Sequence, residues 1–93
     1  MTGVVCDNPE ANRYELAADG QTSVLNYERR AGEITLIHTE VPEALRGHGI
    51  GESLVKGALD LARAEGLRII VVCPFVRAYL RRHPTDGSVN HEA

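Results

Sequence analysis

Apolar and polar positions alternate with a period of two through the first half of the chain and then change period. Arg13 to Ala17 alternates around Tyr14 and Leu16, Asp19-Gly20 has the residues of a tight turn, and Ser23 to Arg29 follows with Val24, Leu25 and Tyr27. Ala31-Gly32 forms a second turn signal, and Glu33 to Val41 is rich in Ile and Thr. Alternating stretches joined by short glycine turns predict an antiparallel β-meander, because each strand buries one face and the turns admit positive φ. A short strand at Val4 to Cys6 is expected to precede it.

After Pro42 the spacing lengthens to about 3.6 residues, the period of a helix with one buried face. Ile50, Leu54, Ala58, Leu61 and Ala62 fall on one side, with Glu52, Lys56, Asp60 and Arg63 on another, and Gly66 suits the position just past the helix end. Leu67 to Cys73 is almost entirely apolar or β-branched. Such a run predicts a strand covered on both faces, and its place after a helix predicts parallel pairing with Glu33 to Val41 through a right-handed crossover. Pro74 fits the first turn of a second helix, Phe75 to Arg82, which Pro84 stops. The expected fold is α+β: a mixed sheet made of a meander, then a βαβ unit with a parallel strand pair, then a C-terminal helix. Residues 3–84 form the single expected domain and 85–93 a frayed polar tail.

Composition limits what such a domain can do. With 93 residues, 43% of them apolar, there is room for one core and none for a separate substrate domain. A formal charge of -3 supplies no field for nucleic acid, which is not expected as a partner. The longest apolar run, Ile69 to Val76, is too short for a membrane span and is interrupted by Pro74, and MTGVVCDNPE lacks the pattern of a secretory signal. No membrane association and a cytoplasmic location are expected. Cys6 and Cys73 are then read as two reduced thiols, and no metal is expected.

The stretch with chemical content is Val41-Pro-Glu-Ala-Leu-Arg-Gly-His-Gly-Ile-Gly51, which leaves a strand and opens a helix. Glycines let backbone N–H groups converge, and the helix N-terminus adds positive potential, so the loop suits a pyrophosphate without needing lysines. A tight strand-to-helix turn that needs positive φ explains the glycines without a ligand. A dinucleotide fingerprint would need glycine where Glu52 stands, and a phosphate-binding Walker loop fails because Lys56 is followed by Gly57.

What remains is Arg46-x-x-Gly49-x-Gly51, which resembles the acyl-CoA loop of the GNAT acetyltransferase superfamily, written Arg/Gln-x-x-Gly-x-Gly/Ala. Asn12 to Leu16, Asp19-Gly20, Leu25 to Tyr27, Ile34 to Pro42, Leu45 to Gly51, Cys73 to Val76 and Arg82 to Pro84 extend the similarity over nearly the whole chain, toward the small single-domain YjdJ-like group. The resemblance implies an acetyl-CoA-dependent N-acetyltransferase with a small-molecule or peptide amine as acceptor. A non-catalytic acyl-CoA-binding module or accessory subunit is the alternative. The paired helices that carry substrate recognition in larger relatives are missing, so a homodimer or a partner protein is a further expectation.

Residue by residue, the resemblance places the donor against Thr39 and Val41 at the end of the strand. Arg46, Gly47, His48, Gly49, Ile50 and Gly51 would hold its pyrophosphate, and Cys73, Pro74 and Tyr79 would face it from the parallel strand and second helix. Direct attack of a neutral amine on the thioester needs a base for the ammonium proton and an acid for the thiolate. Cys73 is a candidate acid or a thiol lining the acyl site; His38 and Glu40, two residues apart on one strand face, are candidates to relay the amine proton. Glu33 stands about where histone-acetylating relatives keep a basic glutamate. The general-acid Tyr of many relatives falls on Leu80, one position from Tyr79, a rotation of about 100 degrees on a helix. Arg77, Arg81, Arg82 and His83 cluster on the second helix, either as a solvated face whose cations suit the helix C-terminus or with one or two of them reaching a nucleotide 3′-phosphate or a phosphorylated partner.

Overall fold

A computed structural model describes residues 4–84 together with 91 and 92. The elements run β1 (Val5–Asn8), β2 (Arg13–Ala18), β3 (Gln21–Arg30), β4 (Glu33–Glu40), a single 3-10 turn at Glu43–Leu45, α1 (Ile50–Ala64), β5 (Arg68–Val71), α2 (Pro74–Arg82) and β6 (His91–Glu92). The strands lie side by side in chain order, so this is an α+β fold with one mixed sheet. β1 to β4 are antiparallel neighbours, and β5 pairs in parallel with β4.

Turn chemistry explains the meander. Asp19 and Gly20 both have positive φ, 53° and 74°, the backbone of a two-residue turn whose twist matches that of paired strands. β1 and β2 are joined by residues 9–12 alone, so the chain places no helices between them. On the inner face Tyr14, Leu16, Leu25, Ile34, Leu36, Ile69 and Val71 are buried against Leu54, Val55, Ala58 and Leu59 of α1 and against Val76 and Tyr79 of α2. Removing one of these large side chains leaves a cavity that costs about 2–5 kcal/mol.

Two expectations are corrected here. The apolar run Leu67 to Cys73 yields only the four-residue β5, covered on one face: Ile69 and Val71 are buried, Ile70 is half-buried and Val72 is 54% exposed. The reason is that both helices contribute to the one buried cluster on the inner face. His91–Glu92, expected within a frayed tail, pairs in parallel with Ile69 and Ile70; the rest of that tail, 85–90 and 93, lies outside the described residues, as does residue 3.

One irregularity positions the site. Asn26 pairs with His38 and Tyr27 with Leu36, so Ile37 is an extra residue in β4, a β-bulge. The bulge reverses which residues face inward. Ile34 and Leu36 point into the core before it, and Thr39 contacts the buried Cys73 after it, which turns His38 and Glu40 outward.

Candidate active site

Parallel pairing between β4 and β5 ends at Leu36 and Val71. The Leu36 carbonyl accepts from the N–H groups of both Val72 and Cys73, each at 2.9 Å, as the chain turns away into α2. β4 nevertheless continues to Glu40, paired there with β3 alone. Its other edge is left beside a cleft of ≈ 660 Å³ whose walls include His38, Thr39, Glu40, Val41, Arg46, Gly47, Gly49, Ile50, Gly51, Glu52, Phe75 and Arg82.

Each glycine of the loop has its own physical reason. Gly47 and Gly49 have φ of 84° and 75°, a left-handed backbone that side chains disfavour by about 1–2 kcal/mol. Gly51 is helical, and its reason is space: a β-carbon there would lie 2.7 Å from the Phe75 ring. The Arg46 guanidinium donates from Nε to the Val41 carbonyl at 3.0 Å, tying the loop back to the strand. Gly49 is the N-cap of α1, no side chain caps the helix, and the first intrahelical bond is Ser53 N–H to Gly49 O. The N–H groups of Ile50, Gly51 and Glu52 therefore precede the helical ladder, donors with positive potential behind them.

The expected site residues separate into two sets. Thr39, Val41, Arg46, Gly47, Gly49, Ile50 and Gly51 line the cleft, as do His38 and Glu40. His38 Nε2 lies 3.8 Å from Glu40 Oε2, with both side chains largely in water. Cys73, Pro74, Tyr79 and His48 are not part of the lining. Cys73 is buried, and its sulfur sits 3.2 Å from Thr39 Oγ1, so it meets the cleft wall through that hydroxyl. Tyr79 is buried with its ring stacked on His83, centroids 4.2 Å apart. Glu33 stands at the far end of β4 near Arg68, about 17 Å of strand from His38, too far to act there.

Of the cationic cluster, Arg82 reaches the cleft, paired with Glu52. Phe75 and Glu52 were not foreseen as site members. The signal available for Phe75 was its place in the first turn of α2, opposite the loop. Among the described residues no group of His, Cys, Asp and Glu could hold a metal ion, and no helix is long and apolar enough to cross a membrane.

The site is thus a strand that outruns its parallel partner, followed by a glycine loop that opens an uncapped helix, and comparison with known proteins gives the family in which it occurs. The profile of the GCN5-related N-acetyl-transferase family matches residues 13–89, and the chain belongs to that family. The match speaks for the family and not for the YjdJ-like group within it. Among curated proteins the chain is similar to Protein NATD1 of Gallus gallus, 39% identical over 74% of this chain and 64% of that protein. It is also similar to Protein NATD1 of Bos taurus, 43% identical over 67% of this chain and 56% of that protein, and of Homo sapiens, 41% identical over the same shares. The chain thus spans less than two thirds of the length of these relatives.

Proposed function

We propose that this chain is an acetyl-CoA-dependent N-acetyltransferase that passes an acetyl group directly to an amine. The observation that carries the reading is the continuity of the cleft, in which the unpartnered edge of β4 at His38–Val41 runs into the uncapped first turn of α1. A strand edge suits the amides of an extended pantetheine arm, and the helix N-terminus with Gly47 and Gly49 suits a pyrophosphate.

Acetyl-CoA supplies a thioester, whose C–S bond is replaced by a C–N bond to the acceptor amine. The protein's part is to orient and to move protons. His38, with Glu40 beside it, faces water at the rim and accepts the proton that the amine sheds. Thr39 is the hydroxyl of the wall, with Cys73 behind it, and this pair is placed to serve the departing thiolate. The acceptor is an amine whose binding surface a second copy of this chain or a partner protein completes, since only residues 9–12 separate β1 from β2.

A thermal-shift or calorimetric titration with CoA and acetyl-CoA at millimolar concentration tests the reading. Ligand at about a hundred times its Kd should stabilise the fold by about 2.7 kcal/mol; absence of any stabilisation overturns the reading. The second reading, a non-catalytic acyl-CoA-binding module or accessory subunit, is favoured by the burial of both Cys73 and Tyr79 away from the cleft. Thiol release from acetyl-CoA with polyamines, amino acids, peptides and aminoglycosides separates the two.

A further inference from the structure

Two residues of α2 that lie seven positions apart, Phe75 and Arg82, both face the cleft, because seven residues complete about two helical turns. α2 therefore offers one apolar and one cationic contact about 10 Å apart along the same wall. Phe75 rests on Gly51 in the first turn of α1, and Arg82 Nη2 lies 2.8 Å from Glu52 Oε2 in the same turn. His83 Nε2 is 4.0 Å from that carboxylate oxygen.

Glu52 is out of place for a site that receives phosphates. Its backbone N–H is one of the uncapped donors, yet its carboxylate brings negative charge to the same turn. Arg82 offsets that charge across the cleft. Both side chains are about half exposed, so the bridge is a weak one that water and other anions can enter. The carboxylate meets the guanidinium at Nη2, whereas a phosphomonoester offers three oxygens and a larger charge to the planar fork of an arginine.

We propose that Arg82 is a phosphate-binding residue of the cleft, held in position by Glu52 until a phosphomonoester displaces the carboxylate, and that it makes the site select 3′-phosphorylated CoA over dephospho-CoA. The proposal rests on the acyl-CoA reading above. CoA carries two kinds of phosphate on one ribose. Its pyrophosphate matches the N–H groups at Ile50, Gly51 and Glu52, which leaves the ribose phosphomonoester for a cation one side-chain length away. Arg82 stands at that distance because it is Glu52, bearing one of those N–H groups, whose side chain reaches it. Arg46, the other arginine of the wall, already uses its Nε on the Val41 carbonyl.

The test is calorimetric binding of CoA and of dephospho-CoA to the full chain and to Arg82→Gln, Arg82→Lys and Glu52→Gln, each checked for folding by its melting curve. The unaltered protein should bind CoA about tenfold more tightly than dephospho-CoA, the effect of one charge-assisted contact. Arg82→Gln should bring that ratio close to one while leaving dephospho-CoA affinity within about twofold, and Arg82→Lys should recover part of it. Glu52→Gln, which frees Arg82, should keep the ratio and tighten CoA. A ratio near one in the unaltered protein, or a ratio that Arg82→Gln leaves unchanged, overturns the assignment of Arg82. Failure of the unaltered protein to bind either nucleotide overturns the acyl-CoA reading itself, and with it this one.

Discussion

The two ends of α1 are built from the same kinds of residue and finished in opposite ways. At the C-terminal end the carbonyls of Leu61, Ala62 and Arg63 are taken up by the chain that follows. Gly66 takes φ of 72°, its N–H donates to the Arg63 carbonyl at 2.9 Å, and Leu67 N–H donates to the Ala62 carbonyl at 3.1 Å, closing the helix with a paired glycine cap. Beside it, Glu65 accepts from Arg29 at 2.9 Å, Arg29 also reaches Asp7 at 3.1 Å and packs over the Tyr27 ring, and the Tyr27 hydroxyl donates to Asp7 at 2.5 Å. At the N-terminal end Gly49 takes nearly the same backbone angle, 75°, but no side chain caps the helix and a cleft opens onto its donors. A saturated end holds the fold together; an unsaturated end with space in front of it holds a ligand.

The strongest way to break this contrast is to substitute the glycine of the open end. Gly49→Trp puts a large side chain at the mouth of the cleft on a backbone that disfavours it. The fold should lose about 1 kcal/mol, since no atom lies within 4 Å of a β-carbon there. Binding of CoA, in contrast, should weaken by at least about a hundredfold, on the order of 3 kcal/mol. Titration calorimetry checks the second effect and urea unfolding the first. A variant that retains CoA affinity would show that the loop glycines serve the turn alone.

Next in size comes the saturated end. Arg29→Ala removes one cation shared by Asp7 and Glu65 and uncovers the Tyr27 ring. A loss of about 2 kcal/mol in unfolding free energy is expected, with CoA binding unchanged, because both partners are left facing a half-buried gap. A change in CoA affinity larger than the experimental error would mean that the two ends communicate through α1. Smaller still is Gly66→Ala, which should cost about 1 kcal/mol through its positive φ. Melting curves with and without CoA should shift in parallel for this variant and diverge for Gly49→Trp.

The two ends also differ in how legible they were. Gly66 announced the helix end, Asp19-Gly20 announced a hairpin, and the change from period two to 3.6 after Pro42 located α1, because these signals are local. The loop was readable for the same reason: Arg46, Gly49 and Gly51 lie within one turn of chain. What escaped depends on residues far apart in sequence. The bulge at Ile37 leaves no mark in the residues of β4, yet it alone turns His38 and Glu40 outward and Thr39 inward onto Cys73. Cys73 and Tyr79 looked like cleft residues from their place after the parallel strand, and burial in the core removes them from the lining. Phe75 and Arg82 became wall residues only once α2 was laid across the first turn of α1. The apolar run from Leu67 to Cys73 misled because composition reports burial without saying which face is covered.

The smallest expected effect is a pH dependence to which the saturated end contributes at both extremes. The Arg29 guanidinium, hydrogen-bonded to Glu65, holds that carboxyl below the usual carboxylate range. A carboxyl depressed in the fold contributes stability that is present above its ordinary value and is lost as pH falls through the depressed one. Burial, helped by the hydrogen bond to Asp7, pushes the Tyr27 hydroxyl from 10.0 up to about 12. A group raised in the fold has the opposite sign: its contribution is complete below 10.0 and declines as pH rises from there to about 12. Unfolding midpoints measured across pH should therefore fall at both extremes. Arg29→Ala should make the acid limb shallower by releasing Glu65, leaving the part owed to Glu15, which Asn8 and Arg13 hold low, and Tyr27→Phe should make the alkaline limb shallower, leaving the part owed to Tyr14, which burial raises. Gly49→Trp should leave both limbs unchanged, since neither group lies at the cleft; a shift of either limb in that variant would break the separation between the two ends of the helix.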